Sequence, residues 1–223
     1  MDQKPEYDLA ALFQAVGEVL RQKREAFNQA DAANGNHGDH MVEIFELASR
    51  AAQEKSGTAL AEAMEYASQL LEQLSHNGSA QVYALGLRQL AEQFRQRQVT
   101  LPDLVQYVQR LLDESQQKPA GEDPSRSGEL LKALVAGLAG WSQTTSGQPQ
   151  AGRPLDMGAL FEMGMAYMQA KQRGGSRAEV LADAAVSASP LSSIPHRYLS
   201  GKLTIQALLE AMQGHPTGQA DRG

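Results

Sequence analysis

From position 28 the chain reads Asn28-Gln29-Ala30-Asp31-Ala32-Ala33-Asn34-Gly35-Asn36-His37-Gly38-Asp39-His40-Met41. So much Asn, Asp, His and Gly is more than a plain connector needs. Asn and Asp offer oxygen ligands and His offers imidazole, while Gly35 and Gly38 free the backbone for positive φ and for close approach to a bound group. The apolar residues Met41, Ile44, Phe45 and Ala48 then recur at helical spacing, so the polar stretch ends at a helix N-terminus. Unpaired N–H groups and the positive end of the helix dipole would point into it, as an anionic or phosphorylated ligand requires. A second chemistry is open as well. His37, Asp39 and His40, completed by Asp31 or His76, carry donor types suited to one transition metal. The plainer alternative is that Asn36 or Asp39 caps the helix and the histidines face solvent.

Two further glycine-bearing loops open helices. Asn77, Gly78 and Ser79 in Ser75-His76-Asn77-Gly78-Ser79 are suited to cradling phosphate with backbone N–H groups, or equally to an ordinary helix–helix turn. Arg173-Gly174-Gly175-Ser176-Arg177 brings Arg177, which can neutralise a phosphate or simply face water at a helix start. His196-Arg197-Tyr198 is a conspicuous trio with no assigned role. No serine stands beside an evident general base, so triad hydrolysis has no support, and no catalytic residue is assigned.

The elements that must position these residues are helices. Asp8 reads as the N-cap of a helix through Phe27. Further helices follow at about 39–53, closed by Lys55-Ser56-Gly57, at about 58–74, from the Asn77 loop through Phe94, and from an N-cap at Thr100 through Leu112. Helical spacing recurs at about 128–141, 155–171, 178–186 and 204–212, with breaker-rich connectors at 116–127 and 144–154 and a break across SASPLSSIPHRYLSG. Tyr83 and the Met157–Met168 stripe read as core. No useful strand period appears, which predicts an all-α fold: a single barrel or bundle of about eight antiparallel helices over residues 8–212, after a 1–7 extension and before a disordered tail at 213–223. The three loops are expected together at one end.

At 223 residues and 42% hydrophobic content the chain can bury one sizeable core. It has no cysteine, hence no disulfide framework and no thiol nucleophile. A formal charge of −6 without a basic run argues against nucleic acid as a partner. No basic leader and no stretch of eighteen apolar residues is present, so we expect a cytoplasmic protein without membrane contact.

The order of these parts resembles the L subunit, or C-terminal domain, of dihydroxyacetone kinases, the DhaL/Dak2 family. Its motif Asp-Gly-Asp-(His/Thr)-Gly-x-Asn-Met lies over Asn34 to Met41 without a gap. A glycine loop like GGASGPLYG is similar to Asn77 to Ala84, one residue shorter. A third signature resembles Arg177 to Leu181 followed by Ser189-Pro190-Leu191. The resemblance implies an eight-helix barrel that binds ADP or ATP with magnesium at one end. It also implies a separate substrate-binding kinase subunit or a phosphocarrier protein as partner, and it leaves a homo-oligomer open. By position, Asp31, Asn34 and Asn36 would be the metal residues, with Asp39 a new carboxylate that could compensate from a place where the family has no ligand, and His37, Gly38, His40, Asn77, Gly78, Ser79 and Arg177 would be the nucleotide contacts. Both aspartates of the family's Asp-Gly-Asp are amides here. An amide oxygen brings no negative charge to a hard ion, so the resemblance implies kinase activity that is impaired or lost. The competing expectation is a regulatory protein that binds a small anion or a metal on the same fold.

Overall fold

The structure is a computed structural model that describes residues 8–112, 175–187 and 195–214. The described residues form seven helices and no strand: α1 (Leu9–Ala30), α2 (His37–Glu54), α3 (Leu60–Leu74), α4 (Gly78–Arg97), α5 (Leu101–Leu112), α6 (Arg177–Ser187) and α7 (Pro195–Gly214). The helices expected at 128–141 and 155–171, their connectors, the Met157–Met168 stripe, Arg173, Gly174 and residues 189–191 lie outside the described residues.

The helix starts follow the chemistry of their caps. Asp8 accepts the Ala10 N–H at 2.9 Å, and Thr100 and Asp103 exchange hydrogen bonds in a capping box at the start of α5. After α2, Gly57 takes φ +80° where the chain reverses. The apolar stripes of α1 (Leu12, Phe13, Val16, Leu20) and α2 (Met41, Ile44, Phe45) close on each other and on α3, α4, α5 and α7 in one core. Phe45 stands edge-on to both Phe13 and Tyr83. Tyr83 is core, as expected, and burial pushes its phenol up to about 12.

Two boundaries differ from the sequence reading. α2 begins at His37 rather than near Asp39, so both residues lie inside its first turn. The last helix begins at Pro195 rather than near Thr204, because proline fits the first helical position, where no N–H is needed. His196, Arg197, Tyr198 and Ser200 are therefore helical, in a segment whose Pro, Ser and Gly looked like breakers. The helix runs on to Gly214.

Helices α1 and α2 approach backbone to backbone at Gly38. A Cβ built on Gly38 would stand 2.1 Å from the Arg24 carbonyl oxygen. Asn28, near the end of α1, accepts the N–H groups of Gly38 (2.7 Å) and Asp39 (3.3 Å) and donates to the Asp39 carboxylate (3.0 Å). The α2 N-terminus is thus capped from the neighbouring helix. A Cβ at Gly38 has only backbone to meet, so Gly38→Ala should lower the unfolding free energy by about 2–3 kcal/mol or prevent folding. Gly78→Ala, where a Cβ would meet nothing within 4 Å, should change it by less than about 0.5 kcal/mol. Urea unfolding of both variants checks this, and equal effects would refute the packing role of Gly38.

Candidate functional site

The starts of α2, α4 and α7 meet at one end of the bundle. They line a small open pocket of about 20 Å³, formed by His37 and Met41, by Ser79, Val82 and Tyr83, and by Arg197 and Ser200. That volume suits a single water. The first two loops are thus brought together, as expected. The third is not. Lys202 on α7 bonds Glu179 (3.2 Å) and Asp183 (3.4 Å), and Tyr198 donates to Asp183, so α6 runs antiparallel to α7. The start of α6, with Arg177, therefore lies away from the start of α7, and Arg177 is absent from the cavity wall.

His37, 5% exposed, is the centre of this end. Its Nε2 lies 2.8 Å from Ser200 Oγ, and the Ser200 hydroxyl in turn donates to the Arg197 carbonyl at 3.2 Å. With its hydrogen spent there, Oγ accepts from Nε2–H, which leaves the lone pair of the neutral ring on Nδ1. The His37 ring stands edge-on to Phe27 and to His196, at 6.4 and 4.8 Å between centroids. Burial lowers its pKa to about 4, with help from His196, against the pull of Asp31, and with smaller contributions from Arg197 and His40.

Asp31 ends α1 and is buried. Burial alone would raise its pKa, but the Ala33 N–H (3.1 Å), His196 and the N–H groups of Asn36 and Asn34 together hold it below the ordinary value. Gly35, at φ +67°, turns the chain back so that these N–H groups face the carboxylate. His196 Nδ1 is 4.0 Å from Asp31 Oδ1, beyond hydrogen-bond reach.

The other expected metal residues go elsewhere. Asn34 is exposed. Asn36 occupies the N-cap position of α2 without capping it, since Asn28 does so, and its side-chain oxygen is buried with no hydrogen-bond partner. Asp39 turns toward α1, where it pairs with Arg24 (3.6 Å) and Asn28. The two carboxylates therefore serve different partners, and the set Asp31, Asn34, Asn36, Asp39 does not fit a two-magnesium cluster. As they stand, no three His, Asp or Glu side chains among the described residues converge on a metal position. His40 is half-buried and His76 exposed.

Among the expected nucleotide contacts, Gly38 is occupied with the α1 contact. Asn77 is a structural cap: it accepts the Ala80 N–H (2.7 Å) and donates to Glu43 (3.0 Å) and Ser75 (2.7 Å). Gly78 is exposed and open, and Ser79 lines the cavity. Sequence reasoning missed the roles of Asn28, His196, Arg197 and Ser200. Pro195 was the available signal for the last three, read as a helix start rather than a break.

A groove of about 910 Å³ lies at the opposite end between Asp8, the Lys55–Thr58 turn and the α4–α5 turn. Its Arg95 is tied to Glu65 and Glu92, and Lys55 sits over the Tyr66 ring. Comparison with protein-family models, with curated proteins and with solved structures found no match to the chain.

The His37 environment predicts the pH dependence of stability. Its folded pKa, about 4, is below the ordinary 6.5, so the unfolded chain binds the proton first. Stability should fall as pH drops from about 6.5 toward 4, by about 2 kcal/mol after allowing for partial solvent screening. Asp31, also lowered, adds loss in the same direction at more acid pH. Urea unfolding between pH 7.5 and 4.5 should show a steeper decline for the wild type than for His37→Asn. Identical pH profiles would contradict the buried neutral imidazole.

Proposed function

We propose that the chain is a helical nucleotide-binding domain of the DhaL/Dak2 kind. It takes the phosphates of ADP or ATP at the open face over Gly78, Ser79 and Arg197, and its phosphoryl-transfer capacity is weakened or lost. The observation that carries this reading is the meeting of the α2, α4 and α7 starts around His37, Ser79, Arg197 and Ser200. The α2 start has little left to offer a ligand, because Asn28 holds its Gly38 and Asp39 N–H groups. The α4 start differs. Asn77 takes the Ala80 N–H, while the N–H groups of Gly78 and Ser79 belong to the helix's first, unpaired positions, with open space over Gly78. Arg197 adds a fixed positive charge and Ser79 a hydroxyl donor, the types that phosphate recognition uses.

Weak transfer follows from the charges that are missing. Asn34 and Asn36 bring none, and Asp39 is committed to Arg24 and Asn28. A magnesium ion would arrive chiefly on the nucleotide's own phosphates, and transfer would need a separate substrate-binding subunit or phosphocarrier. The small cavity favours a second reading in one respect: a lone anion such as phosphate could sit at its mouth without a nucleoside.

Calorimetric titration with ADP, ATP and inorganic phosphate, each with and without magnesium, separates the readings. We expect nucleotide binding that Arg197→Gln weakens about tenfold, the effect of losing one charge-assisted hydrogen bond of about 1.4 kcal/mol. Binding of phosphate alone would establish the second reading, and no binding of any of the three would overturn both.

A further inference from the structure

The chain has four asparagines, and two of them, Asn34 and Asn77, are followed by glycine. Asparagine is chemically labile, and most so before glycine, which has no Cβ to obstruct the approach of its nitrogen to the asparagine carboxamide. By sequence the two dipeptides are equivalent. The structure separates them. Asn77 caps α4: its Oδ1 accepts the Ala80 N–H at 2.7 Å, and its Nδ2 donates to Glu43 at 3.0 Å and to Ser75 at 2.7 Å, so the buried carboxamide is fixed in place. Asn28 is likewise held, by the Gly38 and Asp39 N–H groups and the Asp39 carboxylate. Asn36 has its side-chain oxygen buried, and the residue after it is His37, whose ring is packed inside the bundle. Asn34 is exposed in the turn between α1 and α2, with no hydrogen bond to its side chain among the described residues. The Gly35 that follows is exposed too, at φ +67°, and its N–H donates to the Asp31 carbonyl at 3.2 Å.

We propose that Asn34 is a self-modification site: it deamidates through a cyclic imide with Gly35 while Asn77 is protected, and the product loosens the turn that holds Asp31. In the first step the Gly35 nitrogen, after losing its proton to hydroxide, attacks Cγ of Asn34. The N–Cγ bond forms, the Cγ–Nδ2 bond breaks, and Nδ2 leaves as ammonia after taking a proton from water. Water then opens the imide. Attack at Cγ restores the normal main chain with aspartate at position 34, whereas attack at the main-chain carbonyl carbon leaves the chain running through Cγ, as isoaspartate. In both cases one carboxamide and one water become one carboxylate and one ammonium, with no oxidant or reductant. The Gly35–Asp31 bond that must be released is a single hydrogen bond at the surface, of the kind that opens without global unfolding. The product bears on Asp31, whose carboxylate rests on the N–H groups of Ala33, Asn36 and Asn34. Either product adds a negative charge within the same turn, and isoaspartate also lengthens the main chain by one carbon between the Asn34 and Asn36 N–H groups, so the three no longer converge as they do. The modification stands whether or not a nucleotide binds over Gly78 and Ser79.

The test incubates the full folded chain at pH 6 and pH 8 and follows it by peptide mass spectrometry with fragment sequencing, which separates positions 34 and 36. We expect the mass gain of carboxamide turned to carboxylate at Asn34, faster at pH 8 because the Gly35 nitrogen reacts deprotonated, and labelling of the aged chain by an isoaspartyl methyltransferase. Asn77 should stay unmodified while the chain is folded. In concentrated urea, where its cap is lost, Asn77 and Asn34 should react at similar rates. Asn34→Gln, whose longer side chain closes an imide far more slowly, should remove both the mass gain and the label, and circular dichroism checks that it folds. The isoaspartyl form, separated by ion exchange, should unfold at a lower urea concentration than the fresh chain. No mass gain at Asn34, an equal rate at Asn77 in the folded chain, or first modification at Asn28 or Asn36 would overturn the assignment. An isoaspartyl form as stable as the fresh chain would overturn the loosened turn.

Discussion

The backbone contact between Gly38 and the Arg24 carbonyl governs the candidate site. Because the first turn of α2 lies directly on α1, with no room for even a methyl group between them, the N-terminus of α2 cannot stand free. Asn28 reaches across from α1 and takes its first N–H groups, and Asp39 follows toward Arg24. The next consequences are geometric. His37, the residue before Gly38, is turned inward to Ser200 and His196, and Asp31 is drawn under the loop by the N–H groups that Gly35 redirects. One close approach therefore divides the polar stretch into an outer part, tied to α1, and an inner part, buried against α7.

That division bears on what chemistry this end of the molecule can support. A helix start already capped by a side chain offers an anion little, since its N–H groups are filled and its dipole partly answered. The α4 start, one helix pair away, keeps two such groups and an open approach, with Arg197 of α7 close enough to line the same cavity. The loop that looks most like a phosphate and metal motif is thus the less available of the two. The buried His37 and Asp31 form a second, drier set of groups, in which low polarity keeps the His37 imidazole neutral.

Much of the helical frame was legible from local signals. Asp8 and Thr100 cap where their side chains suggested, Asn77 opens α4, and the apolar spacing of α1 to α4 marks the faces that are buried. Legibility failed where a residue's role depends on a neighbour far along the chain. Nothing local distinguishes Asn28 as the cap of α2 from Asn36, which sits at the proper position and does not cap. Nothing near His37 announces His196, whose helix was hidden by proline and glycine that read as breakers. Gly38 was recognised as a place of close backbone approach, but the group that approaches is the protein's own α1 rather than a ligand.

The central claim is that ligand phosphates meet the start of α4 and not the Asn34–Asn36 loop. Backbone amide NMR of the full chain during titration with ADP and magnesium tests it most directly. The account predicts that the Gly78 and Ser79 amides shift first and furthest, while those of Asn34, Gly35 and Asn36 move little. Large shifts confined to Asn34, Gly35 and Asn36, with Gly78 and Ser79 unmoved, would contradict it.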